Sequence, residues 1–181
     1  MWPAVVLGPG GANSNMIIGS LMFWKYINAF QNTNQIIGCS VGALIGMLFC
    51  LGCSLTEICA ISCDVIDRFQ MRELNLGTAL EKGGMFDINE LRIILDNVCR
   101  RFGYINPNFL QFYRGTGYDL QIAVTKADPL EPMDINVNYH THPQSSVIET
   151  VLNSCYIRGV FFDSLHQQHL YVDGALTNPY P

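Results

Sequence analysis

The fold is decided by residues 35–51, which read QIIGCSVGALIGMLFCL. An apolar, strand-like run enters a Gly-x-Ser-x-Gly motif at Gly38, Ser40 and Gly42, and an apolar helical run leaves it. This context predicts a nucleophile elbow, a sharp strand-to-helix turn that holds the serine in a strained backbone conformation. The two glycines have no side chain, so the strand and the helix can approach each other closely. A chance tight turn is the alternative interpretation of the motif taken alone.

Ser40 is therefore predicted to stand at the start of a helix. The helix dipole and the unpaired N–H groups at a helix N-terminus favour negative charge. Such an environment assists both a serine hydroxyl that loses its proton and a substrate oxygen that gains charge during acyl transfer. The motif predicts Ser40 as a nucleophile.

A glycine-rich turn precedes this unit, between a strand predicted at residues 4–7 and a helix predicted at residues 15–29. The turn reads GPGGANS from Gly8 to Ser14, and Asn13 or Ser14 can cap the helix. Backbone amides in such a turn can form an oxyanion hole, because glycine lets N–H groups point inward. A phosphate-binding turn fits less well, since the Lys of a P-loop is absent and Asn13 replaces the third glycine of Gly-x-Gly-x-x-Gly. A plain structural loop is the other alternative.

The rest of the chain alternates short strand patterns with longer helical patterns, which is typical of a wound α/β sheet. Ser54 and Glu57 have the spacing of a helix capping box, as do Asp87 and Glu90. Further helices are predicted at residues 91–103, 109–113 and 146–154, and further strands at 118–124, 134–139 and 170–172. We expect a three-layer α/β/α fold with a mostly parallel central sheet, formed by residues 1–181 as a single domain.

The last predicted strand runs into Asp173-Gly174-Ala175. Asp173 is a candidate general base. An unperturbed Asp titrates near ~4, so this role needs a short hydrogen bond to the serine hydroxyl and a water-poor pocket. Asp-Gly is also a common turn dipeptide, and a turn is the alternative.

Histidine is the usual base for a serine nucleophile. The chain has four histidines, which are His140, His142, His166 and His169. Only His166 and His169 satisfy the order of an α/β-hydrolase triad, in which the histidine follows the acidic residue. The acidic residue would then be Asp163 or Asp128. None of the histidines has a recognisable motif around it, so packing or surface roles are expected, and a His-dependent esterase is kept as an alternative.

The composition limits the class of protein. The 181 residues carry a formal net charge of −5, with 14% charged and 49% hydrophobic residues. This composition argues against disorder and against nucleic-acid binding, which normally requires clustered Lys and Arg. Seven cysteines and no recognisable secretory leader predict free thiols in a cytoplasmic compartment. Four of the cysteines, at positions 50, 53, 59 and 63, lie in apolar helical sequence without the turns of a zinc site, so no metal is expected.

Residues 36–63 form an apolar stretch that is long enough to raise a transmembrane interpretation. Glycines interrupt the stretch, a new helix start is predicted at Ser54, and no Lys or Arg flanks it. A buried central helix is therefore predicted.

Taken in order, the glycine-rich turn, the elbow at Ser40 and the segment at Asp173 resemble the patatin-like phospholipase family. The intervening segments at 109–113, 123–128 and 147–161 are similar to the family's segments in the same order. The resemblance covers nearly the whole chain. Three motifs in register are far more specific than any one of them.

The resemblance implies the patatin-like fold and a Ser-Asp dyad without histidine, in which Ser40 attacks an ester carbonyl and Asp173 accepts its proton. It also implies Gly10, Gly11 and Ala12 as the oxyanion hole. The substrate would be a phospholipid or another acyl lipid, a fatty acid would be released, and no metal or organic cofactor would be needed. Because the net charge of −5 offers no attraction to anionic lipids, peripheral membrane contact is expected to use apolar loops.

The chain departs from the family pattern at several positions. The family's turn usually has three consecutive glycines and then a basic residue, whereas Pro9 and Asn13 stand at the first and last of these positions. Arg158 stands where the family has a proline, and the chain stops eight residues after Asp173, so a compact or truncated version is expected. These departures motivate an alternative function, that of a weakly active or inactive relative that binds lipid or a membrane surface.

Overall fold

The computed structural model describes residues 3–70, 76–128, 131–165 and 169–181. Its strands are β1 (Ala4–Leu7), β2 (Gln35–Cys39), β3 (Phe86–Asp87), β4 (Asp119–Lys126), β5 (Met133–Val137), β6 (Phe161–Phe162) and β7 (Tyr171–Asp173). Its α-helices are α1 (Ser14–Tyr26), α2 (Val41–Cys50), α3 (Leu55–Gln70), α4 (Leu76–Lys82), α5 (Asn89–Arg101), α6 (Phe109–Thr116) and α7 (Val147–Cys155). Two 3-10 turns lie at Gly11–Asn13 and Gly174–Leu176.

The central sheet is parallel through β1, β2 and β4, while β5 and β7 pair with β4 in the antiparallel sense. Helices cover both faces of this sheet. In β4 the consecutive residues from Ile122 to Thr125 are all buried, which a strand shows only when both of its faces are covered. The predicted α/β fold with a mostly parallel central sheet is confirmed.

The strands β2 and β7 pair with the same edge of β4, one after the other along its length. β2 ends at the pair Cys39–Ala123, and β7 ends at the neighbouring pair Asp173–Val124. The opposite edge of β4 is occupied by β5, which pairs with the same stretch of β4. Because β2 and β7 therefore approach each other end to end, the residue after Cys39 meets Asp173.

The apolar stretch at residues 36–63 divides into β2, the helix α2 and the first part of α3, and α2 is the buried helix that was predicted there. None of the helices in the described residues is long and apolar enough to cross a membrane. The Ser54 capping box is confirmed, because the Glu57 carboxylate accepts from the Ser54 N–H at 2.8 Å and the Ser54 hydroxyl accepts from the Glu57 N–H at 3.2 Å.

Other local predictions are wrong. The capping box at Asp87 does not form, because Asp87 belongs to β3 and the N-cap position of α5 is Ile88. Asn13 occupies the N-cap position of α1 without a side-chain capping bond. The small parallel sheet of β3 and β6 was not predicted, since two-residue strands contain too few residues to show a period.

Candidate active site

Ser40 lies at the turn between β2 and α2 with φ 55° and ψ −128°. This conformation is strained for a residue with a side chain, and it is the geometry that the elbow motif predicts. A Cβ at Gly42 would collide with the backbone oxygen of Leu7. A Cβ at Gly38 would lie 2.5 Å from the Cα of Ala43. The two glycines thus allow β1, β2 and α2 to pack closely enough to hold the turn.

The Ser40 hydroxyl donates a hydrogen bond to Oδ2 of Asp173 at 2.7 Å. The two residues are 133 positions apart in the chain, and both are buried. An O–H···O⁻ bond of this length is short and charge-assisted. The structure therefore brings together the two residues that the sequence nominated as nucleophile and base.

Asp173 is held at every polar atom. Its N–H donates to the backbone oxygen of Tyr156 at 2.9 Å, and its backbone oxygen accepts from the Thr125 hydroxyl at 2.9 Å. Its Oδ1 accepts from the Ala175 N–H at 2.8 Å, which leaves Oδ2 for Ser40. These bonds fix the carboxylate in one orientation. Gly174 permits the approach, because a Cβ there would lie 2.5 Å from the backbone oxygen of Ala123.

Burial raises the pKa of Asp173 above its usual range, although the hydrogen bonds from Ala175 and Ser40 oppose this effect. Removal from water disfavours the charged form of a carboxyl group. A raised pKa makes the ionised carboxylate a stronger base. The environment thus changes Asp173 in the direction that proton acceptance requires.

Cys39 is the other nucleophilic side chain beside the turn. Burial, together with the charge of Asp173, raises the pKa of its thiol to about 12. A thiol with this pKa stays protonated at neutral pH and is a poor nucleophile. Ser40 is therefore the better candidate.

Ser154 supports the elbow from α7. The Ser40 N–H donates to the Ser154 hydroxyl at 2.9 Å, and that hydroxyl donates to the backbone oxygen of Ala123 at 2.6 Å. The sequence placed Ser154 on the inner face of its helix but contained no signal for this contact. Ser154 is a positioning residue, since it holds the strained backbone of Ser40 against β4.

We expect Ser154→Ala to lower kcat about 10-fold while KM changes little, because small displacements of a reacting group have large effects on rate. It should also lower the free energy of unfolding by about 1–3 kcal/mol, since the buried Ser40 N–H loses its acceptor. Steady-state kinetics and thermal unfolding would measure the two effects.

The matched control is Thr150→Val, one turn earlier on α7. The Thr150 hydroxyl is also buried, and it donates to the backbone oxygen of Ser146 at 2.8 Å. This variant should lose stability without losing kcat. An equal loss of kcat in both variants would contradict the positioning role of Ser154.

The glycine-rich turn lies beside Ser40. The N–H of Asn13 donates to the backbone oxygen of Gly10 at 2.8 Å, which closes the 3-10 turn, and Gly11 has φ 49°. Gly10 and Gly11 line an outer cavity together with Ser40 and Asp173, and Ala12 joins Gly11 in the wall of an inner cavity that also reaches Ser40. Each of the three residues nominated for the oxyanion hole thus lines a cavity that Ser40 also lines.

The inner cavity has a volume of about 260 Å³. Its walls include the turn at Gly11 and Ala12, residues of α1, α2, α3, α5 and α7, and the small sheet of β3 and β6. They are mainly aliphatic and aromatic, with Val65, Ile66, Phe69, Phe86 and Phe161 among them. Such a cavity suits an apolar chain.

The outer cavity has a volume of about 600 Å³ and opens towards solvent. Its lining includes Pro9 and Asn13, the two positions that depart from the family's turn. Its apolar lining residues Met16, Leu176 and Ile157 are exposed, by 75%, 66% and 42%. Ser40 lines both cavities, as do Gly11 and Ile157, so the two cavities adjoin at the serine.

None of the described histidines makes a described contact with Ser40 or Asp173. The ring of His169 lies 3.1 Å from Asp163, bonds to Asn153 and stacks on Tyr156. His166 lies outside the described residues. Within residues 3–70, 76–128, 131–165 and 169–181, no group of three or more His, Cys, Asp or Glu side chains could hold a metal ion.

Fold and site together define an α/β protein with a serine at a nucleophile elbow. The patatin-like phospholipase family model matches residues 5–181, and the chain belongs to this family. Members of the family are lipid acyl hydrolases. No curated protein sequence matches the chain significantly.

Solved structures share the fold at low sequence identity. VipD from Legionella pneumophila is 15% identical with a TM-score of 0.59, and the match covers 98% of this chain and 46% of VipD. The type III effector protein ExoU is 16% identical with a TM-score of 0.58, over 83% of this chain and 39% of ExoU. ExoU in complex with SpcU from Pseudomonas aeruginosa is 14% identical with a TM-score of 0.57, over 84% and 37%. The chain thus spans less than half the length of these proteins.

Proposed function

We propose that this protein is a lipid acyl hydrolase of the phospholipase A type, which cleaves carboxylic ester bonds with Ser40 as nucleophile and Asp173 as general base. The observation that carries the proposal is the 2.7 Å hydrogen bond from the Ser40 hydroxyl to Asp173 at the mouth of an apolar cavity. Nucleophilic catalysis requires such a pairing of a hydroxyl with an oriented base.

In the first half-reaction the Ser40 oxygen attacks the ester carbonyl carbon, and its proton moves to Oδ2 of Asp173. The carbonyl oxygen becomes negatively charged, and backbone N–H groups of Gly10, Gly11 and Ala12 stabilise it. The ester C–O bond then breaks. The leaving alcohol takes the proton from Asp173, and the acyl group remains on Ser40.

In the second half-reaction a water molecule attacks the acyl-enzyme. Asp173, ionised again, accepts a proton from this water. Collapse of the second tetrahedral intermediate returns the proton to the Ser40 oxygen and releases the fatty acid. This chain's residues supply every proton transfer, so the mechanism uses neither a histidine nor a cofactor.

The two cavities divide the substrate between them. The inner cavity receives the acyl chain, while the outer cavity receives the glycerol and headgroup side of the ester. Burial of apolar surface on the inner walls supplies binding free energy of ~25 cal/mol per Å². We further propose that the exposed side chains of Met16, Ile157 and Leu176 contact the lipid surface, since they border the outer opening and carry no charge.

The proposal predicts an acid limb in the pH dependence of kcat. Asp173 must be ionised to accept the proton, so activity should fall as the pH drops through its pKa. Because burial raises that pKa, the limb should lie above the ordinary Asp value of about 4. Initial rates with a soluble uncharged ester would measure it, since the charge of this substrate stays constant. A kcat that stays unchanged down to about pH 4 would contradict the role of Asp173.

The direct test is fatty acid release from mixed phospholipid vesicles by the purified protein, with vesicle co-sedimentation on the same samples. Release above a Ser40→Ala blank is expected. Vesicle binding without release would favour the inactive lipid-binding relative instead. Pro9 and Asn13 would then be the first positions to revert to the family's residues, because they line the outer cavity.

A further inference from the structure

The inner cavity contains two hydroxyl groups that the proposed mechanism does not use. Its wall includes Ser14, at the start of α1, and Ser62, in the middle of α3. Ser14 is 1% exposed and Ser62 is 2% exposed. Most of the surrounding wall is aliphatic or aromatic, so these hydroxyls form two polar points on an otherwise apolar surface.

Both serines stand at positions where the helical pattern calls for an apolar residue. On α1, Ser14 precedes the buried Ile18 by one turn. On α3, Ser62 follows the buried Ile58 by one turn. The helices α1 and α3 are in contact, and both serines line the cavity beside them. A chain that only needed a core at these positions would use Ala or a larger aliphatic residue.

Within the described part of the chain, neither hydroxyl has a hydrogen-bond partner. For Ser62, in the middle of α3, this is unusual, because a Ser or Thr inside a helix can bond to the backbone oxygen four residues earlier. Ser20 does so to Met16 at 2.9 Å, and Thr150 does so to Ser146 at 2.8 Å. Buried polar groups are nearly always paired. A molecule bound in the cavity can supply the missing hydrogen-bond partners of Ser14 and Ser62.

We propose that the inner cavity selects acyl chains that carry a hydroxyl or keto oxygen partway along the chain. This inference rests on the proposed function, since it assigns the inner cavity to the acyl group. An oxygen on the chain can accept from a serine hydroxyl, and a chain hydroxyl can also donate to one. An unsubstituted chain would displace water and leave both serine hydroxyls buried and unpaired, which a polar site penalises strongly.

The test compares phosphatidylcholine vesicles whose octadecanoyl chains are unsubstituted or carry one hydroxyl at successive mid-chain carbons. For wild type, kcat/KM should be about 10-fold higher for at least one hydroxylated chain. Ser14→Ala and Ser62→Ala should each reduce that ratio about 3-fold, and the double variant should bring it to about one. Ser20→Ala, on α1 but exposed, is the matched control and should leave the ratio unchanged.

A binding measurement separates this inference from the proposed hydrolysis. The free hydroxyoctadecanoic and octadecanoic acids are titrated into wild type and into the double variant by calorimetry. Tighter binding of the hydroxylated acid to wild type alone would support the inference even if no ester were cleaved, and the absence of cleavage would then overturn only the proposed function. If wild type and the double variant prefer the hydroxylated acid over octadecanoic acid to the same extent, the inference is overturned, whatever the hydrolytic activity.

The serine variants also have an expected effect on folding. The Ser62 hydroxyl has no partner in the described part of the protein, so Ser62→Ala removes no internal hydrogen bond, and the midpoint of thermal unfolding should equal or exceed that of wild type. A lowered midpoint would show that the hydroxyl has a partner within the protein, and it would overturn the inference.

Discussion

Replacing Ser40 with alanine is expected to reduce fatty acid release from phospholipid vesicles by ~10⁴-fold or more, to the level of vesicles incubated without protein. The hydroxyl oxygen of Ser40 is the atom that bonds to the acyl group in the acyl-enzyme, so no other group can take its place. The neighbouring Cys39 cannot substitute, because burial raises the pKa of its thiol to about 12 and keeps it protonated. Release is measured as free fatty acid over time at saturating vesicle concentration.

The fold should survive this substitution. Alanine meets the same backbone strain at φ 55° as serine does, and the Ser154 hydroxyl still accepts from the N–H at this position. The midpoint of thermal unfolding and the fraction of protein that co-sediments with vesicles should therefore match those of wild type. Equal release by wild type and Ser40→Ala would remove the proposed mechanism.

The sequence predicted the elbow well because its signal is local. Gly38, Ser40 and Gly42 lie within five positions, between a strand pattern and a helix pattern, and the collisions that a Cβ would cause at both glycines explain the spacing. The hydrogen-bond partner of the serine has no such local signal. Asp173 is followed by glycine and looks like a turn in isolation, and only the end-to-end approach of β2 and β7 on one edge of β4 brings it to Ser40.

The rest of the site depends on contacts that no local pattern encodes. Ser154 is one small residue on the inner face of α7, and its bond to the Ser40 backbone exists because α7 packs across β4. Ser14 is one of two residues that the sequence offers as a helix cap, yet it is buried in the wall of the inner cavity. The wall at Phe86 and Phe161 comes from strands of two residues, too short for any period to appear.

Replacing Asp173 with asparagine is expected to lower kcat by ~10²-fold to ~10⁴-fold, which is the contribution of a positioned general base. The amide is nearly the same size as the carboxyl, and its oxygen can still accept from the Ala175 N–H. Its NH₂ group would face the Ser40 hydroxyl and could donate to it, but it could not take its proton. The geometry should therefore persist while the chemistry is lost.

The same substitution, Asp173→Asn, should not lower the stability of the protein at neutral pH. The pKa of Asp173 is raised in the folded protein, so the protonated form is favoured there, and this contribution to stability disappears as the pH rises through the folded pKa. At neutral pH the folded protein therefore holds an ionised carboxylate at a cost that the neutral amide avoids. Thermal unfolding of Asp173→Asn should show a midpoint equal to or above that of wild type at neutral pH, and the advantage should shrink at acidic pH.

His169→Ala is the control that separates the dyad from a histidine-dependent esterase. The imidazole of His169 contacts Asp163 and Asn153 and stacks on Tyr156, so its loss should affect stability. It makes no described contact with Ser40, whose hydroxyl is already bonded to Asp173, so kcat should remain within about 3-fold of wild type. Loss of activity in His169→Ala together with retained activity in Asp173→Asn would reverse the assignment of the base. If a buried carboxylate accepts the serine proton directly, Asp173→Asn should lose activity and keep its stability. His169→Ala should keep its activity and lose stability.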